Sequence, residues 1–583
     1  MKKKALWMGL SSLLVVALLL SSCANKTTTN ALTTSTPTST TNVNEPKYGG
    51  TLTYMNNFAS KGPVSFDAQY SNDFGATSVW VNPYLEWLTC GDIEKYGPRG
   101  NNTFAFQLEE TTPEEYLGGV IAESWEINFN QFTFHLRHGI MFTGNSNIGM
   151  AARELTADDV VFNLNRSKNR PFWGGIFMGF VNSDANAISA TDRYTVVIQC
   201  KFDGNWPFFF GSGFAWGAIM APESVTAGAD DWKHAVGTGP FMITDYVEGS
   251  EATYTVNPNY WGKTTINGKQ YQTPFIQTLK YPIIPDQSTE LANLRTGKLD
   301  WDPKVSLVNQ DTLNKSSPAL IQDKWLSGVV TYFKLSRIDS PIFSKKEVRQ
   351  AMMIATDFNN IAKAVYIDGE VYAWPLGKGA EGFVPFDQLP QADQLLYTYD
   401  PTKAQQMLAD AGYPQGFKMD LVVNNTSEQM DLATLCSTMW AKVGVTVNIK
   451  SMDDAARDAV QRDPSTYTAV SVQASVVNPL VALALGRTDS PSTTFKPEEP
   501  FNAAFLKISE TTDPVTRIAL IQQDSIAMLD DAGFIPFANP YTLNCHWPWV
   551  KNYYGEIEAG YYNAIPMIKT LWIDQTLKNS LGQ

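Results

Sequence analysis

The sequence predicts an α/β protein with at least two lobes. The chain has 583 residues, 44% of them hydrophobic, which is more than one hydrophobic core normally organises. Residues 440–445 close a helical pattern and lead through Gly444 into a strand-like segment over 446–449. A helix, a short turn and a strand in this order are typical of an α/β unit. Further segments with helical or strand-like periodicity follow one another from residue 48 onward.

The first 22 residues have the pattern of an export signal. Three lysines precede an apolar run over 5–20, which is short for a membrane span but suits the core of a signal peptide. The run ends in Leu20-Ser-Ser-Cys23, which resembles the lipobox of bacterial lipoproteins, whose cysteine is acylated and becomes the first residue after cleavage. We therefore expect a lipoprotein signal peptide over 1–22 and lipid attachment at Cys23. The alternative is an ordinary signal peptide with an incidental cysteine.

Residues 23–47 are expected to form a flexible tether. They consist mainly of Thr, Ser and Asn, so they bury too little apolar surface to offset the entropy of ordering. A chain of this length holds a domain roughly 25 to 30 Å from the membrane. We expect the folded part to lie outside the cytoplasm, at the outer face of the cytoplasmic membrane or in the periplasmic space, with the lipid as its only membrane contact.

The first half of the folded part shows one well-marked helix among several strands. Residues 48–54 have a strand pattern, and the polar loop after them can line a cleft. Residues 92–119 are rich in Gly, Pro and Glu, which favours a surface insertion. Thr156 is the expected N-cap of an amphipathic helix with Asp158 and Asp159 in its first turn. Strand-like segments cover 120–127, 132–136, 195–200, 242–247 and 276–284.

The second half contains three helices with clear start signals. Ser344 and Glu347 have the spacing of a capping box. Asp400 and Asp513 are each followed by proline, which is typical of an N-cap and first helical residue. The last of these helices is expected to run to about residue 532, with a short strand over 534–537 behind it.

Composition and spacing argue against several partner classes. The net charge of −14 argues against nucleic acid. His135 and His138 are three residues apart in a strand-like run, so their side chains face opposite sides and do not form a metal pair. The sequence leaves disulfides open for the four scattered cysteines Cys90, Cys200, Cys436 and Cys545.

The sequence contains no H-E-x-x-H, no G-x-S-x-G and no Walker loop, each of which is the motif of a common enzyme class. Asp300 and Asp302 have the D-x-D spacing of sugar transferases, but we expect no catalysis there. The adjacent acids Glu109-Glu110 and Asp530-Asp531 are interpreted as solvated faces. We therefore expect no enzyme, no catalytic residue, no cofactor and no metal.

Nine short motifs occur in one order between residues 48 and 554, and together they resemble solute-binding protein family 5. Members of this family are the peptide, nickel and oligosaccharide receptors of ATP-binding-cassette (ABC) importers. The motifs are Gly49-Gly-Thr-Leu52, Ile121-Ala-Glu-Ser-Trp125, Phe134-His-Leu-Arg-His-Gly139, Leu155-Thr-Ala-Asp-Asp-Val160, Gly237-Thr-Gly-Pro240, Asn257-Pro-Asn-Tyr-Trp261, Val348-Arg-Gln-Ala351, Tyr399-Asp-Pro-Thr-Lys-Ala404 and Trp440-Ala-Lys-Val-Gly-Val445.

The resemblance implies a two-lobed periplasmic-binding-protein-like fold of the type II or cluster C kind, with a hinge between the lobes and an extra N-terminal subdomain. The expected ranges are 48–281 for lobe I with its subdomain, 282–532 for lobe II and 533–583 for the return to lobe I. The chain would cross between the lobes near 280–285 and near 532–540.

The resemblance also implies a function. A monomeric receptor would close on its ligand by hinge motion and deliver it to the permease subunits of an ABC importer. The expected ligand is an oligopeptide, with an oligosaccharide as the alternative because aromatic side chains can stack on sugar rings. A secreted enzyme is the remote alternative.

The ligand is expected to lie between loops of the two lobes. Trp216 lies in a Gly-rich stretch and is either a cleft residue or a buried core tryptophan. The candidate ligand-binding residues are Tyr54, Met55, Asn56, Trp216, Trp374, Val472, Gln473, Ser475 and Asn478.

Two departures from the dipeptide receptors are expected to affect the ligand. An aspartate that pairs with the amino group of a dipeptide is replaced here by Ser475, and no basic residue stands near Met430 and Asp431, where an arginine would hold the carboxylate. A buried unpaired ligand charge is costly. The sequence therefore predicts a ligand that is neutral overall or bound chiefly through backbone hydrogen bonds and stacking.

Replacing the expected lipid attachment residue tests the first of these expectations. Cys23→Ala should abolish labelling with radioactive palmitate and leave the melting temperature of the folded part unchanged, because the tether contributes nothing to the core. Cys90→Ala is the matched control and should still be labelled. Labelling of the Cys23→Ala protein would contradict the anchor.

Overall fold

The computed structural model describes residues 45–582 except 57, 61, 70–73, 110, 129, 171–177, 202–209, 211–216, 339, 464, 488–499 and 512. Cys23 and Trp216 lie outside these described residues. From Glu45 onward the chain forms one compact unit.

The strands of the described chain are numbered in chain order. Their bounds are β1 Thr51–Thr53, β2 Thr89–Gly91, β3 Leu117–Gly119, β4 Ala122–Asn128, β5 Gln131–Leu136, β6 Met141–Phe142, β7 Arg153–Glu154, β8 Ile188–Asp192, β9 Thr195–Gln199, β10 Phe241–Val247, β11 Glu251–Val256, β12 Lys263–Ile266, β13 Lys269–Gln272, β14 Thr278–Pro282, β15 Trp301–Ser306, β16 Ile321–Leu326, β17 Val329–Leu335, β18 Gly369–Glu370, β19 Lys418–Asn424, β20 Thr446–Met452, β21 Ala469–Ser475, β22 Phe534–Pro536, β23 Asn539–His546, β24 Val550–Lys551 and β25 Trp572–Ile573.

The α-helices are numbered in the same way. Their bounds are α1 Phe74–Val81, α2 Ala157–Lys168, α3 Pro222–Ala227, α4 Gln287–Arg295, α5 Gln310–Ser316, α6 Lys346–Ile354, α7 Phe358–Ile361, α8 Gln391–Leu396, α9 Pro401–Asp410, α10 Ser427–Ala441, α11 Asp454–Gln461, α12 Pro479–Leu483, α13 Phe501–Glu510, α14 Pro514–Asp531, α15 Ile565–Ile568 and α16 Gln575–Ser580. Among the described residues, no helix combines the length and apolar character needed to cross a membrane.

Lobe I contains two four-stranded sheets. One has the order β1-β14-β11-β10, in which β1 runs parallel to β14. The other has the order β4-β5-β9-β8, and α2 contacts β8 and β9. Thr156 caps α2 as expected, since its backbone amide donates to Asp159 Oδ2 at 2.8 Å in a capping box.

Lobe II is organised around a five-stranded sheet of the order β20-β19-β21-β17-β22. Strand β19 is parallel to both β20 and β21, and α10 connects β19 to β20. This unit confirms the predicted α/β class. A third sheet, β15-β23-β16 with β18 against β23, adjoins the point where the chain passes between the lobes.

Buried hydrophobic residues form two large cores, one in each lobe. The first core takes residues from the chain up to Leu320 and again from Leu543 onward, whereas the second takes residues from Tyr332 to Ala538. The chain therefore changes core between 320 and 332 and again between 538 and 543. These two large cores agree with the predicted two-lobed architecture.

The first change of core lies later than the expected crossing near 280–285. The reason is that α4, β15 and α5 bury Leu294, Trp301 and Leu313 completely in the first core. The division into 48–281, 282–532 and 533–583 stays a prediction, and this packing favours a first boundary after residue 320.

The expected capping box at Ser344 is wrong. Helix α6 begins one residue later than expected, with Lys345 as N-cap and without a side-chain cap. The Ser344 hydroxyl instead donates to the backbone oxygen of Pro341 at 3.3 Å. The helices after Asp400 and Asp513 begin as predicted, because each aspartate accepts a hydrogen bond from the third backbone amide of its helix.

The expectation that Asp530 and Asp531 are both solvated is also wrong. Asp531 is 8% exposed and binds the guanidinium groups of Arg337 and Arg349, the second at 2.8 Å. Both arginines are themselves buried. Asp530 remains partly exposed and pairs with Lys346. The buried network ties the end of α14 to α6 and to the segment after β17.

The two adjacent aspartates should therefore differ sharply in their effect on stability. Asp531→Ala should lower the free energy of unfolding by about 3–5 kcal/mol, because it leaves two buried guanidinium groups without their carboxylate. Asp530→Ala should cost less than about 1 kcal/mol, because its ion pair is exposed. Urea denaturation measures both values, and equal losses would contradict the assignment.

Candidate functional site

The carboxyl ends of the lobe II strands identify the edge where a ligand would lie. Parallel strands β19, β20 and β21 end at the same edge of their sheet, and α/β sheets bind ligands outside such ends. The segment between β16 and β17 enters the sheet at this edge. It is hydrogen-bonded to the second crossing, since Ser327 N donates to Pro540 O and Phe537 N donates to Thr331 O, each at 3.0 Å.

In lobe I, the loop that follows β1 contributes three of the candidate residues. Tyr54 and Met55 are held against β15: the Tyr54 ring lies 4.6 Å from the Trp301 ring, and Met55 N donates to Trp301 O at 2.9 Å. Asn56 is buried, and its Nδ2 has no partner among the residues that the structure describes. Burial raises the pKa of Tyr54, with further contributions from Tyr281 and Glu558.

Several contacts bring the two lobes together at this edge. Val481, on the helix that begins after Asn478, packs against the first core. The side chain of Leu108 approaches Gly379 to within 3.7 Å of the position that a Cβ would take. Both contacts join lobe I to lobe II close to the end of β21.

The candidate residues of β21 have different roles. Val472 is buried in the second core, whereas Gln473 is exposed and its Nε2 donates to Thr331 Oγ1 at 3.3 Å. Ser475 is buried, and its hydroxyl has no partner within the described part of the chain. Asn478 caps α12 by accepting from the backbone amides of residues 480 and 481.

Trp374 lies in the core of lobe II. It is 6% exposed, and its ring packs 5.0 Å from Tyr332 and 4.7 Å from Phe534. It also lines a cavity of about 20 Å³ inside the lobe. Trp216, the other tryptophan of the candidate set, lies outside the described residues, and the ligand contacts of both stay predictions.

Glu109 is a buried residue that the sequence analysis placed on a solvated face, and that interpretation is wrong. Its carboxylate accepts from Lys304 Nζ at 2.6 Å, from Ser327 Oγ at 3.2 Å and from Gly328 N at 3.1 Å. Its residue exposure is 0%. The partners lie 195 to 219 residues away in sequence, so no local pattern could have indicated them.

Gly328 fills the crossing so closely that a larger residue would not fit. A Cβ at this position would lie 2.8 Å from the Glu109 Cβ and 3.1 Å from a methyl group of Val477. Its backbone oxygen accepts from Val476 N at 2.8 Å. The segment 92–119 is thus more than a surface insertion, since it contributes a carboxylate to the hinge.

Asp300 has a structural role. It is fully buried and accepts from Thr53 N at 2.8 Å, from Trp549 Nε1 at 2.7 Å and from Lys578 Nζ at 2.7 Å. It therefore joins β1 to the C-terminal segment. The described residues contain no group of His, Cys, Asp and Glu side chains that could hold a metal ion.

Glu290 and Asp302 form a carboxyl pair beside the lobe I loop. Asp302 Oδ1 accepts from Lys304 N at 3.2 Å, and the second oxygen of Asp302 is buried. The Glu290 carboxyl is near enough to interact with that of Asp302. Burial raises the pKa of both groups, and the charge of Asp302 raises that of Glu290 further. The pair therefore retains one proton over a pH range in which isolated carboxyl groups are ionised.

Structural comparison defines the fold class as that of a two-lobed binding protein. The ABC transporter-associated periplasmic binding protein DppA from Helicobacter pylori, solved with the peptide STSA, has a TM-score of 0.72 at 22% identity, covering 91% of this chain and 99% of that chain. The oligopeptide-binding protein AppA from Bacillus subtilis, solved with a nonapeptide, has a TM-score of 0.68 at 20% identity, covering 91% and 100%.

The family follows from the sequence comparison. The model of the bacterial extracellular solute-binding proteins, family 5, matches residues 117–484. The chain belongs to this family.

Curated relatives match over part of their length. A heme-binding protein A from Haemophilus influenzae is 30% identical over 365 residues, which cover 56% of this chain and 60% of the relative. A dipeptide-binding protein from Escherichia coli is 27% identical over 376 residues, covering 60% and 66%. AppA from Bacillus subtilis is 25% identical and covers 78% and 77%. The chain thus spans about two thirds or less of the first two relatives.

The carboxyl pair predicts a pH dependence of stability. The unfolded chain ionises both carboxyl groups near pH 4, whereas the folded pair keeps one proton. The contribution of this pair to the free energy of unfolding is therefore highest below about pH 4, and it falls as the pH rises toward the raised pKa of the pair. Between about pH 5 and about pH 8 the wild type should lose up to about 1.4 kcal/mol per pH unit from this pair.

Glu290→Gln should flatten this slope, because the amide donates to Asp302 without titrating. Urea denaturation at several pH values measures it. Glu347→Gln, at an exposed glutamate in the first turn of α6, is the matched control and should keep the wild-type slope. An unchanged slope in Glu290→Gln would contradict the shared proton.

Proposed function

We propose that the chain is the substrate-binding component of an ABC importer and captures oligopeptides between its two lobes. The observation that carries this proposal is the pair of hydrogen-bonded crossings between two separate cores, the first of which meets the carboxyl end of β21. Such crossings allow one lobe to rotate against the other while both cores stay intact. The ligand favours the closed state because it contacts both lobes, and the closed form docks on the permease.

The peptide ligand is supported by the relatives, whose names include dipeptide-, oligopeptide- and heme-binding proteins. A dipeptide is disfavoured here, since Ser475 replaces the expected amine-binding aspartate and Met430 and Asp431 offer no guanidinium. A longer peptide can be held by backbone hydrogen bonds along an extended segment. Asn56 Nδ2 and Ser475 Oγ, which lack partners among the described residues, support such contacts from both lobes.

The setting of the receptor is part of the same proposal. The lipid on Cys23 anchors it and residues 24–47 tether it, so that a monomer works at the outer face of the cytoplasmic membrane or in the periplasmic space. The protein breaks no bond and needs no cofactor. ATP hydrolysis belongs to separate subunits of the importer.

Thermal shift separates the peptide ligand from its alternatives. A mixture of tetra- to nonapeptides should raise the melting temperature, because a ligand at about 100 times its Kd stabilises the native state by about 2.7 kcal/mol. Cello- and xylo-oligosaccharides are the control ligands and should leave it unchanged.

A shift with the oligosaccharides alone would refute the peptide ligand. Tight binding of a free dipeptide would contradict the reading of Ser475 and of the segment near Asp431.

A further inference from the structure

Glu428 stands out among the charged residues at the carboxyl edge of lobe II. It lies in the first turn of α10 and is half-buried. Its Oε1 accepts from Thr331 Oγ1 and from Tyr366 OH, each at 3.0 Å. Among the described residues it forms no ion pair, and its second carboxylate oxygen accepts no hydrogen bond.

The neighbours of Glu428 include an exposed side chain of lobe II and a charge from lobe I. Thr331 lies two residues after the start of β17, next to the first crossing, and bonds both Glu428 and the exposed Gln473. Lys304 of lobe I is close enough for its charge to lower the pKa of Glu428, although burial raises that pKa overall. Lys304 itself pairs with Glu109 at 2.6 Å.

A half-buried carboxylate without a cation is costly unless something compensates it. The two hydroxyl donors offset part of this cost, and the helix N-terminus contributes a favourable dipole. Asp531, a buried carboxylate of the same lobe, has two arginine partners instead. The missing partner of Glu428 therefore has the chemistry of a cation that enters the cleft.

We propose that Glu428, flanked by Thr331, Tyr366 and Gln473, binds a cationic nitrogen of the ligand. This inference rests on the proposed function and assigns a part of the ligand to a side chain. It also revises the expectation of a neutral ligand, because the chain places a carboxylate two residues before Met430, where a dipeptide receptor would place an arginine. The cation is either the terminal ammonium of a peptide or the side chain of a lysine or arginine.

The test uses three tetrapeptide probes that separate these two sources. Tetra-alanine offers a free ammonium, N-acetyl-tetra-alanine offers none, and an N-acetyl tetrapeptide with one lysine offers a side-chain cation. Calorimetry measures their affinities for the wild type, for Glu428→Gln and for the matched control Glu347→Gln.

Glu428→Gln should weaken the cationic probes about 10- to 100-fold, which is typical of a lost hydrogen bond to a charged group. The same substitution should leave the affinity for N-acetyl-tetra-alanine unchanged. If Glu428→Gln loses affinity for tetra-alanine, the bound cation is the terminal ammonium. If it loses affinity for the acetylated lysine peptide, the bound cation is the lysine side chain. Glu347→Gln should match the wild type throughout.

A second variant covers the case that Glu428→Gln does not fold. Gln473→Lys changes an exposed residue and places an ammonium beside Glu428, so it should weaken the same probes by competition. Wild-type affinities in both variants would overturn the inference and leave the proposed function standing, as would a change in stability alone. If no probe binds the wild type, the inference falls, whereas the proposed function is decided separately by the thermal shift with the peptide mixture.

Discussion

The two crossings between the lobes run side by side, and this arrangement constrains the rest of the molecule. Ser327 and Thr331 on the first crossing are hydrogen-bonded to Pro540 and Phe537 on the second. Two bonded strands bend and twist more easily than they separate, because separation would expose unpaired backbone groups. Relative motion of the lobes is therefore limited to rotation about this pair. Glu109 adds a side-chain contact from lobe I to the backbone of Gly328.

Much of the local structure could be predicted because its causes are local. Asp400 and Asp513 accept from backbone amides three residues further on, and the backbone amide of Thr156 donates to the Asp159 carboxylate. The α/β unit after β19 follows from periodicity. Ser344 is not the cap because the helix begins one residue later, and its hydroxyl donates to Pro341 O instead of accepting from a helix amide. The sequence does not show which of these local hydrogen bonds forms.

The buried charges could not be predicted, since their partners are distant in sequence. Glu109 meets Lys304 and Gly328, and Asp531 meets Arg337 and Arg349. In the sequence, Glu109 and Asp531 each belong to an adjacent acidic pair, and nothing local distinguishes such a pair from a solvated one. The first change of core lies later than the crossing that the sequence suggests for a similar reason, since only the packing of α4, β15 and α5 assigns those elements to the first core.

The contrast between Asp531 and Glu428 bears on how closure is controlled. Asp531 is compensated by two arginines in every state of lobe II, because all three residues belong to that lobe. Glu428 has no ion-pair partner among the described residues, and Lys304 of lobe I, whose charge reaches it, is paired with Glu109. Closing an empty cleft would therefore remove water from this carboxylate without giving it an ion pair. A cationic ligand removes this cost, and a ligand shifts a two-state equilibrium only by its differential affinity for the two states. An unpaired carboxylate at the cleft therefore both selects the ligand and disfavours closure in its absence.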